Sequence, residues 1–208
     1  MEDRAGYGGA MDAITLLKKD HRTVENLFKR FEKLGERAKK SKQDVVERII
    51  KELSIHAAIE EAVFYPAIRS AVDDKKIDDL VLEALEEHHV AKWLLSELDG
   101  MSPDHERFDA KVMVLIESVR HHVEEEEQEL FPKVAKAFDK ARLNELGDAL
   151  AEAKRVVPTR PHPRMPDEPP GNILGAPGAA LVDKALDAGR KLVRENGRKV
   201  RQAVGARR

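Results

Sequence analysis

The strongest constraint on this chain is that it repeats itself. Asp20–Phe28 (DHRTVENLF) returns as Glu87–Leu95 (EHHVAKWLL), and His56–Pro66 (HAAIEEAVFYP) returns as His122–Pro132 (HVEEEEQELFP). The offsets are 67 and 66 residues. Two copies of one pair of elements predict a pseudo-symmetric assembly of two hairpins, since a solenoid needs at least about three copies.

The period of the apolar residues says what those elements are. Apolar residues step by three and four along four long segments, the stripe of a helix facing a shared core. The first runs from about Asp12, a suitable N-cap, to about Lys39, through Ile14, Leu17, Val24, Phe28 and Phe31. The second runs from about Lys42 to the region of Pro66, through Val46, Ile49, Leu53 and Val63. The third runs from about Asp78 to Gly100, through Val81, Ala84, Ala91, Leu95 and Leu98. The fourth runs from about Asp104 to the region of Pro132, through Val112, Leu115, Val119 and Leu130. Nothing reads as a strand. Short connections predict an all-α, up-down-up-down four-helix bundle. A shorter helix, about Leu143 to Val156, is expected to pack across it, and Trp93 and Met101 are expected to serve packing.

The organisation expected from this is a flexible N-terminus over residues 1–11, a bundle over 12–157, a Pro/Gly-rich linker over 158–180 and a basic helical tail over 181–208. Charge follows the same division. Residues 158–208 hold 11 Lys/Arg against 5 Asp/Glu, while residues 1–157 hold 26 against 34. An acidic body carries a basic tail. Such a tail can remain a solvated helix, dock on the bundle or a protein partner, or meet nucleic acid or an anionic lipid surface; the sequence leaves these open. No apolar run approaches the ~20 residues of a membrane span. The opening residues carry no apolar signal core, so a cytoplasmic location is the default expectation.

The chain has no cysteine. That excludes disulfides, a thiolate nucleophile, iron–sulfur clusters and cysteine zinc sites. The chemistry must come from the polar residues lying in the apolar seams. His21 falls between Leu17 and Val24, and His88 between Ala84 and Ala91. His56 and Glu60 fall between Leu53 and Val63, and His122 and Glu126 between Val119 and Leu130. Each helix thus aims one His at the core, and two add a Glu one turn on, about 40° around the axis, where both side chains reach one point. The neighbouring His89 and His121 lie on more polar lines and fall outside the repeat-related set. Burying an uncompensated carboxylate costs several kcal/mol. Metal is the simplest compensation for four imidazoles and two carboxylates, and this donor set suits Fe, Mn or Zn. Six ligands with two carboxylates able to bridge predict two ions.

With these motifs in view, the sequence resembles the hemerythrin-like, or HHE cation-binding, family. The resemblance covers roughly residues 12–157. It rests on DH at Asp20–His21, EEH at Glu86–His88 and the two HxxxE segments ending in YP and FP. It implies a non-haem centre of two iron ions, oxo- or hydroxo-bridged, with His21, His56, His88 and His122 as ligands and Glu60 and Glu126 as bridging carboxylates. Ferritin-type ExxH repeats match poorly. Hemerythrins that carry oxygen have a second His one turn after the third-helix His, where this chain has Lys92. They use HxxxxD on the fourth helix, where this chain has HxxxE and Glu127 stands at the later place. The open position could be filled by water, Tyr65, Glu61 or His89. On the ideal helix Tyr65 lies off the ligand face, at the rim, unless the Pro66 break turns it inward.

One fewer imidazole favours reaction over reversible oxygen carriage. The resemblance therefore implies a protein handling peroxide, nitric oxide or oxygen in oxidative or nitrosative stress, catalase- or peroxidase-like, with the metal centre and Tyr65 as the candidate catalytic groups. The alternative is an oxygen or iron binding or sensing protein without turnover. The off-seam members of the acidic run Glu124–Glu129 are expected to be a solvated face.

Overall fold

The computed structural model describes residues 11–164 and 166. The basic tail and most of the Pro/Gly-rich linker lie outside the described residues, as do residues 1–10. The elements in order are α1 (Ala13–Glu32), α2 (Lys39–Ile59), α3 (Tyr65–Ala71), α4 (Lys75–Leu98), α5 (Phe108–Glu125), α6 (Phe131–Ala137) and α7 (Lys140–Ala153). A π-helical turn, Glu60–Phe64, joins α2 to α3, and a second, Glu126–Leu130, joins α5 to α6. Among the described residues there is no strand, and no helix is long and apolar enough to cross a membrane.

α1 with α2 and α4 with α5 form the two antiparallel hairpins. The starts are set locally. The Asp12 carboxylate accepts from the Thr15 N–H at 3.0 Å and the Thr15 hydroxyl at 2.7 Å, satisfying groups a helix start leaves unpaired. Asp74 and Asp139 cap α4 and α7 in the same way. Gly100, at φ 79°, supplies the left-handed residue just after α4.

Several boundaries differ from the sequence reading. α1 stops at Glu32 rather than near Lys39, because Gly35 and two tight turns occupy 33–38. The fourth-helix pattern begins at Phe108, not Asp104, after an irregular stretch with Pro103. The second and fourth patterns do not end at Pro66 and Pro132. They pass through them into α3 and α6. A proline inside a helix lacks a donor and crowds the carbonyl four residues back, here that of Ala62 or Gln128. The π turn immediately before each proline opens the backbone there.

Two apolar clusters fill the bundle. The lower one gathers Leu17, Ile59, Phe64, Ile68, Val81, Phe131 and Leu150. The upper one gathers Val24, Phe28, Ile49, Leu95, Phe108 and Leu115. The repeat-related histidines and glutamates form the polar layer between them. α7 closes the lower end and packs on α1 and the first π turn. Met101 packs against the upper cluster as expected. Trp93 does not pack: it is 48% exposed, on the outer side of α4.

Candidate metal centre

His21, His56, His88, His122, Glu60 and Glu126 are all buried and meet at mid-height in the bundle. They form two overlapping groups. His21, His56, Glu60 and Glu126 offer ligand atoms within 4.8 Å of one another, and so do Glu60, His88 and His122. Glu60 belongs to both. Its Oε2 lies 3.1 Å from His56 Nε2 and 3.4 Å from His88 Nε2. Glu126 Oε2 lies 3.3 Å from His21 Nε2 and 3.7 Å from His122 Nε2. Each carboxylate therefore spans from one imidazole pair to the other. His89 and His121 are exposed and stay outside this layer. His121 instead faces Glu87 and Glu125 at the surface.

The fit to a cation is tested by what these atoms lack. Both Glu60 oxygens, Glu126 Oε2, His21 Nε2 and both His56 ring nitrogens are buried without a hydrogen-bond partner. Buried polar groups are normally paired, because each orphan costs about 1–3 kcal/mol. Apart from His56 Nδ1, which faces Asp20, these orphans come from three of the four long helices and meet in one volume, which is the arrangement a cation would satisfy.

A second ring of carboxylates stands behind the imidazoles. His21 Nδ1 is 2.9 Å from Glu127 Oε1, His88 Nδ1 is 3.0 Å from Glu61 Oε1, and His122 Nδ1 is 2.8 Å from Glu87 Oε2. A carboxylate on Nδ1 fixes the proton there and leaves Nε2 as the donor toward the centre. Asp20 stands in the same relation to His56 but at 3.8 Å, beyond hydrogen-bond reach. The ring obeys the repeat: Asp20 corresponds to Glu87, and Glu61 to Glu127.

Burial is the largest influence on His56, lowering its pKa to about 4 against the opposing pull of Asp20. Burial likewise lowers His88, with Glu61 opposing. Both are thereby held as neutral imidazoles, the ligand form. For His122 burial also acts downward, but Glu126 and Glu87 outweigh it and the net shift is upward. The two central carboxyls divide. Burial and then the neighbouring Glu126 raise Glu60 well above the usual carboxylate range. Burial also acts to raise Glu126, but His122 and His21 outweigh it and hold it low. Burial thus favours the protonated form of Glu60, and the neighbouring imidazoles favour the charged form of Glu126.

Against the upper side of this layer lies a cavity of about 30 Å³, lined by the four histidines, Lys92 and apolar side chains including Val24, Leu53, Leu95 and Val119. An open groove of about 510 Å³ between α1 and α5 reaches His21 from outside and shares Val24, Val119 and Val123 with that cavity.

Residues 12–134 match the hemerythrin HHE cation binding domain. The chain belongs to that family. It is 25% identical, over 81% of its length and 82% of the relative's, to an uncharacterized hemerythrin-like protein of Schizosaccharomyces pombe. It is 27% identical over 72% of its length to a protein of Nostoc named DNA nickase, but spans only 41% of that protein. A crystal structure of a hemerythrin HHE cation binding domain-containing protein from Mycobacterium kansasii superposes with a TM-score of 0.59 at 23% identity. It covers 70% of this chain and 86% of its own, and speaks for the fold.

Within this hemerythrin domain, the place where oxygen carriers have their extra histidine holds an ion pair. Lys92 is buried with its ammonium 3.0 Å from Glu61 Oε1 and 3.1 Å from Oε2. The off-seam acids were expected to face solvent. That holds poorly for Glu127, which anchors His21. Glu61, one of the groups named for the open position, is buried and pairs with Lys92 and His88. Tyr65, expected at the rim, is also buried, and its hydroxyl donates to Glu126 Oε1 at 3.0 Å. The π turn explains this. On an α-helix, residue i+5 points about 140° away from residue i. Here the Tyr65 N–H bonds back to the Glu60 carbonyl, placing Tyr65 over Glu60. Phe131 bonds back to Glu126 alike and stacks on His21 at 5.8 Å. Burial, then Glu126 and Glu60, raise the Tyr65 pKa well above its ordinary value, so it is a donor phenol. Phe131, its counterpart in the repeat, shows that a plain ring fits such a place. Tyr65→Phe should therefore keep the packing yet orphan Glu126 Oε1, lowering metal-free stability by about 1–3 kcal/mol in urea titrations; an unchanged midpoint would refute the bond's importance.

Proposed function

We propose that His21, His56, His88 and His122, with Glu60 and Glu126 as bridges, hold two iron ions, and that the centre handles a small oxidant such as hydrogen peroxide, nitric oxide or oxygen. The observation that carries this reading is the convergence of buried, unpartnered ring nitrogens and carboxylate oxygens beside a small, largely apolar cavity. A nitrogen and oxygen donor set without thiolate suits iron. Bound there, the pair of ions would supply redox chemistry and open coordination for the oxidant.

The protein's own groups prepare that chemistry. Glu127, Glu61 and Glu87 orient three imidazoles. A cavity of this size holds one or two water-sized molecules, so the walls admit peroxide or a diatomic and exclude organic substrates. The thin valine wall shared with the α1/α5 groove offers a short way in. Tyr65 holds one oxygen of Glu126 and leaves the other to the centre. The Lys92–Glu61 pair fills the place of an extra imidazole, which favours turnover in oxidative or nitrosative stress, catalase- or peroxidase-like, over stable oxygen carriage.

Metal analysis of purified protein should give two iron ions per chain. His56→Ala combined with His122→Ala should remain folded by circular dichroism and lose both. A folded wild-type protein holding no metal would sink the reading of the site. Stopped-flow mixing with hydrogen peroxide should show turnover; a stable oxygen adduct with no peroxide turnover would favour the binding or sensing role instead.

A further inference from the structure

The two halves of the centre are related by the repeat, yet one residue outside the repeat makes them unequal. In one half Glu87 hydrogen bonds His122 Nδ1 at 2.8 Å. In the other, Asp20 occupies the corresponding position but stands 3.8 Å from His56 Nδ1. Both Asp20 oxygens are taken instead by the Lys154 ammonium, at 2.6 and 2.7 Å. The His56 Nδ1 is left buried without a hydrogen-bond partner. Lys154 is the C-cap of α7 and lies beyond residues 12–134 that match the family. Among the described residues Glu87 meets no lysine of this kind; its other neighbour is the surface imidazole of His121, at 3.8 Å.

We infer that Lys154 is a positioning residue for the metal centre: by drawing Asp20 off His56 it weakens that imidazole as a ligand, and so makes the His21/His56 position the weaker of two metal positions. The inference rests on the proposed metal-holding role of His56. Its physical basis is the role of the outer carboxylate. A hydrogen bond to Nδ1 fixes the ring's tautomer and orientation and makes Nε2 a better donor, and losing such a partner typically costs 10–100-fold in affinity. Three of the four rings have it. A lysine at 2.6 Å is a stronger, charge-assisted partner for Asp20 than a neutral imidazole, so the carboxylate stays with Lys154. Removing the ammonium leaves His56 Nδ1–H as the partner available to Asp20.

The test is calorimetric and spectroscopic titration of metal-free full-length protein with Co²⁺ alone. Wild type should bind in two resolved steps. Lys154→Met should tighten the weaker step by about tenfold and bring the two together, while Lys154→Arg, which keeps the ion pair, should titrate as wild type. Asp20→Asn should abolish the response to Lys154→Met. A lysine that only staples α7 to α1 would lower the melting temperature and leave both steps unmoved; that result overturns the inference. If wild type takes up no Co²⁺ at all, the metal reading itself falls, and the inference with it.

Discussion

Glu60→Gln is expected to stabilise the metal-free protein at neutral and higher pH and to destabilise the metal-loaded one. Glu60 is fully buried, both of its oxygens lack partners, and burial and Glu126 raise its pKa well above 4.5. The sign follows by linkage. A carboxyl whose folded pKa is raised contributes no penalty below its unfolded value near 4.5, where it is protonated in both states. As pH rises through the folded pKa, the folded state must give up that proton against burial, and stability is lost. Gln cannot ionise, so the variant lacks this loss. Urea titrations of metal-free protein should coincide near pH 4.5 and separate upward in pH, with Gln the more stable by about 1–3 kcal/mol at pH 8. With metal the order reverses. Ligand binding stabilises the folded state by about 4 kcal/mol at a thousandfold excess over Kd, and an amide replaces poorly the one carboxylate shared by both groups. Glu60→Gln should therefore bind at most one ion. A variant that holds two ions, or is less stable without metal at pH 8, would contradict the assignment of Glu60 as the shared bridge.

Gly147→Ala should be among the most damaging small substitutions in the chain. α7 crosses the start of α1 at this glycine. A Cβ there would stand 2.0 Å from the Met11 carbonyl oxygen and 2.9 Å from both the Ala13 nitrogen and the Asp12 carbonyl carbon. All three are backbone atoms, and Asp12 is also the cap that starts α1, so no flexible side chain can yield. Overpacking typically costs about 1–3 kcal/mol, occasionally more, and this contact belongs at the upper end. For a chain of this size that is a fall of roughly 6–12 °C in melting temperature. Asp148→Ala, exposed on the same helix, is the control and should change little. Because α7 carries Lys154, the glycine change should also free Asp20. Equal melting temperatures for the two variants would mean that α7 does not dock where the structure has it.

Much of the fold was readable because burial and helical period leave one-dimensional traces. The seams through Leu17, Leu53, Val81 and Val119 run through the polar layer, and the repeat picked His88 over His89 and His122 over His121. What escaped the period was whatever breaks it. Pro66 and Pro132 read as ends because the interior of a regular α-helix does not accept proline, whereas the π turn before each one opens the backbone and lets it stand in the first turn of the next helix. Tyr65 read as a rim residue by the same arithmetic. The outer carboxylates escaped for a different reason. Glu61, Glu87 and Glu127 sit among other acids, and hydropathy cannot tell an acid that grips a histidine from one that faces water. The repeat did carry the signal: Asp20 matches Glu87 and Glu61 matches Glu127, so acids recurring at matched places beside candidate ligands were the trace to follow. Lys154 left none, since it lies outside the repeat and meets Asp20 only through the docking of α7.

The π turns also give each long helix two angular frames. Residues before Glu60 and Glu126 count their faces in one phase, and residues after them in another. Deleting a single residue from Glu60–Phe64 would merge the frames, leave His56 in place and rotate Tyr65 and everything as far as Ala71 about the axis. The same holds for anyone transplanting the HxxxE segment onto a straight helix. The four imidazoles and two carboxylates would arrive, but the phenol over Glu126 and the aromatic floor beneath His21 would point elsewhere.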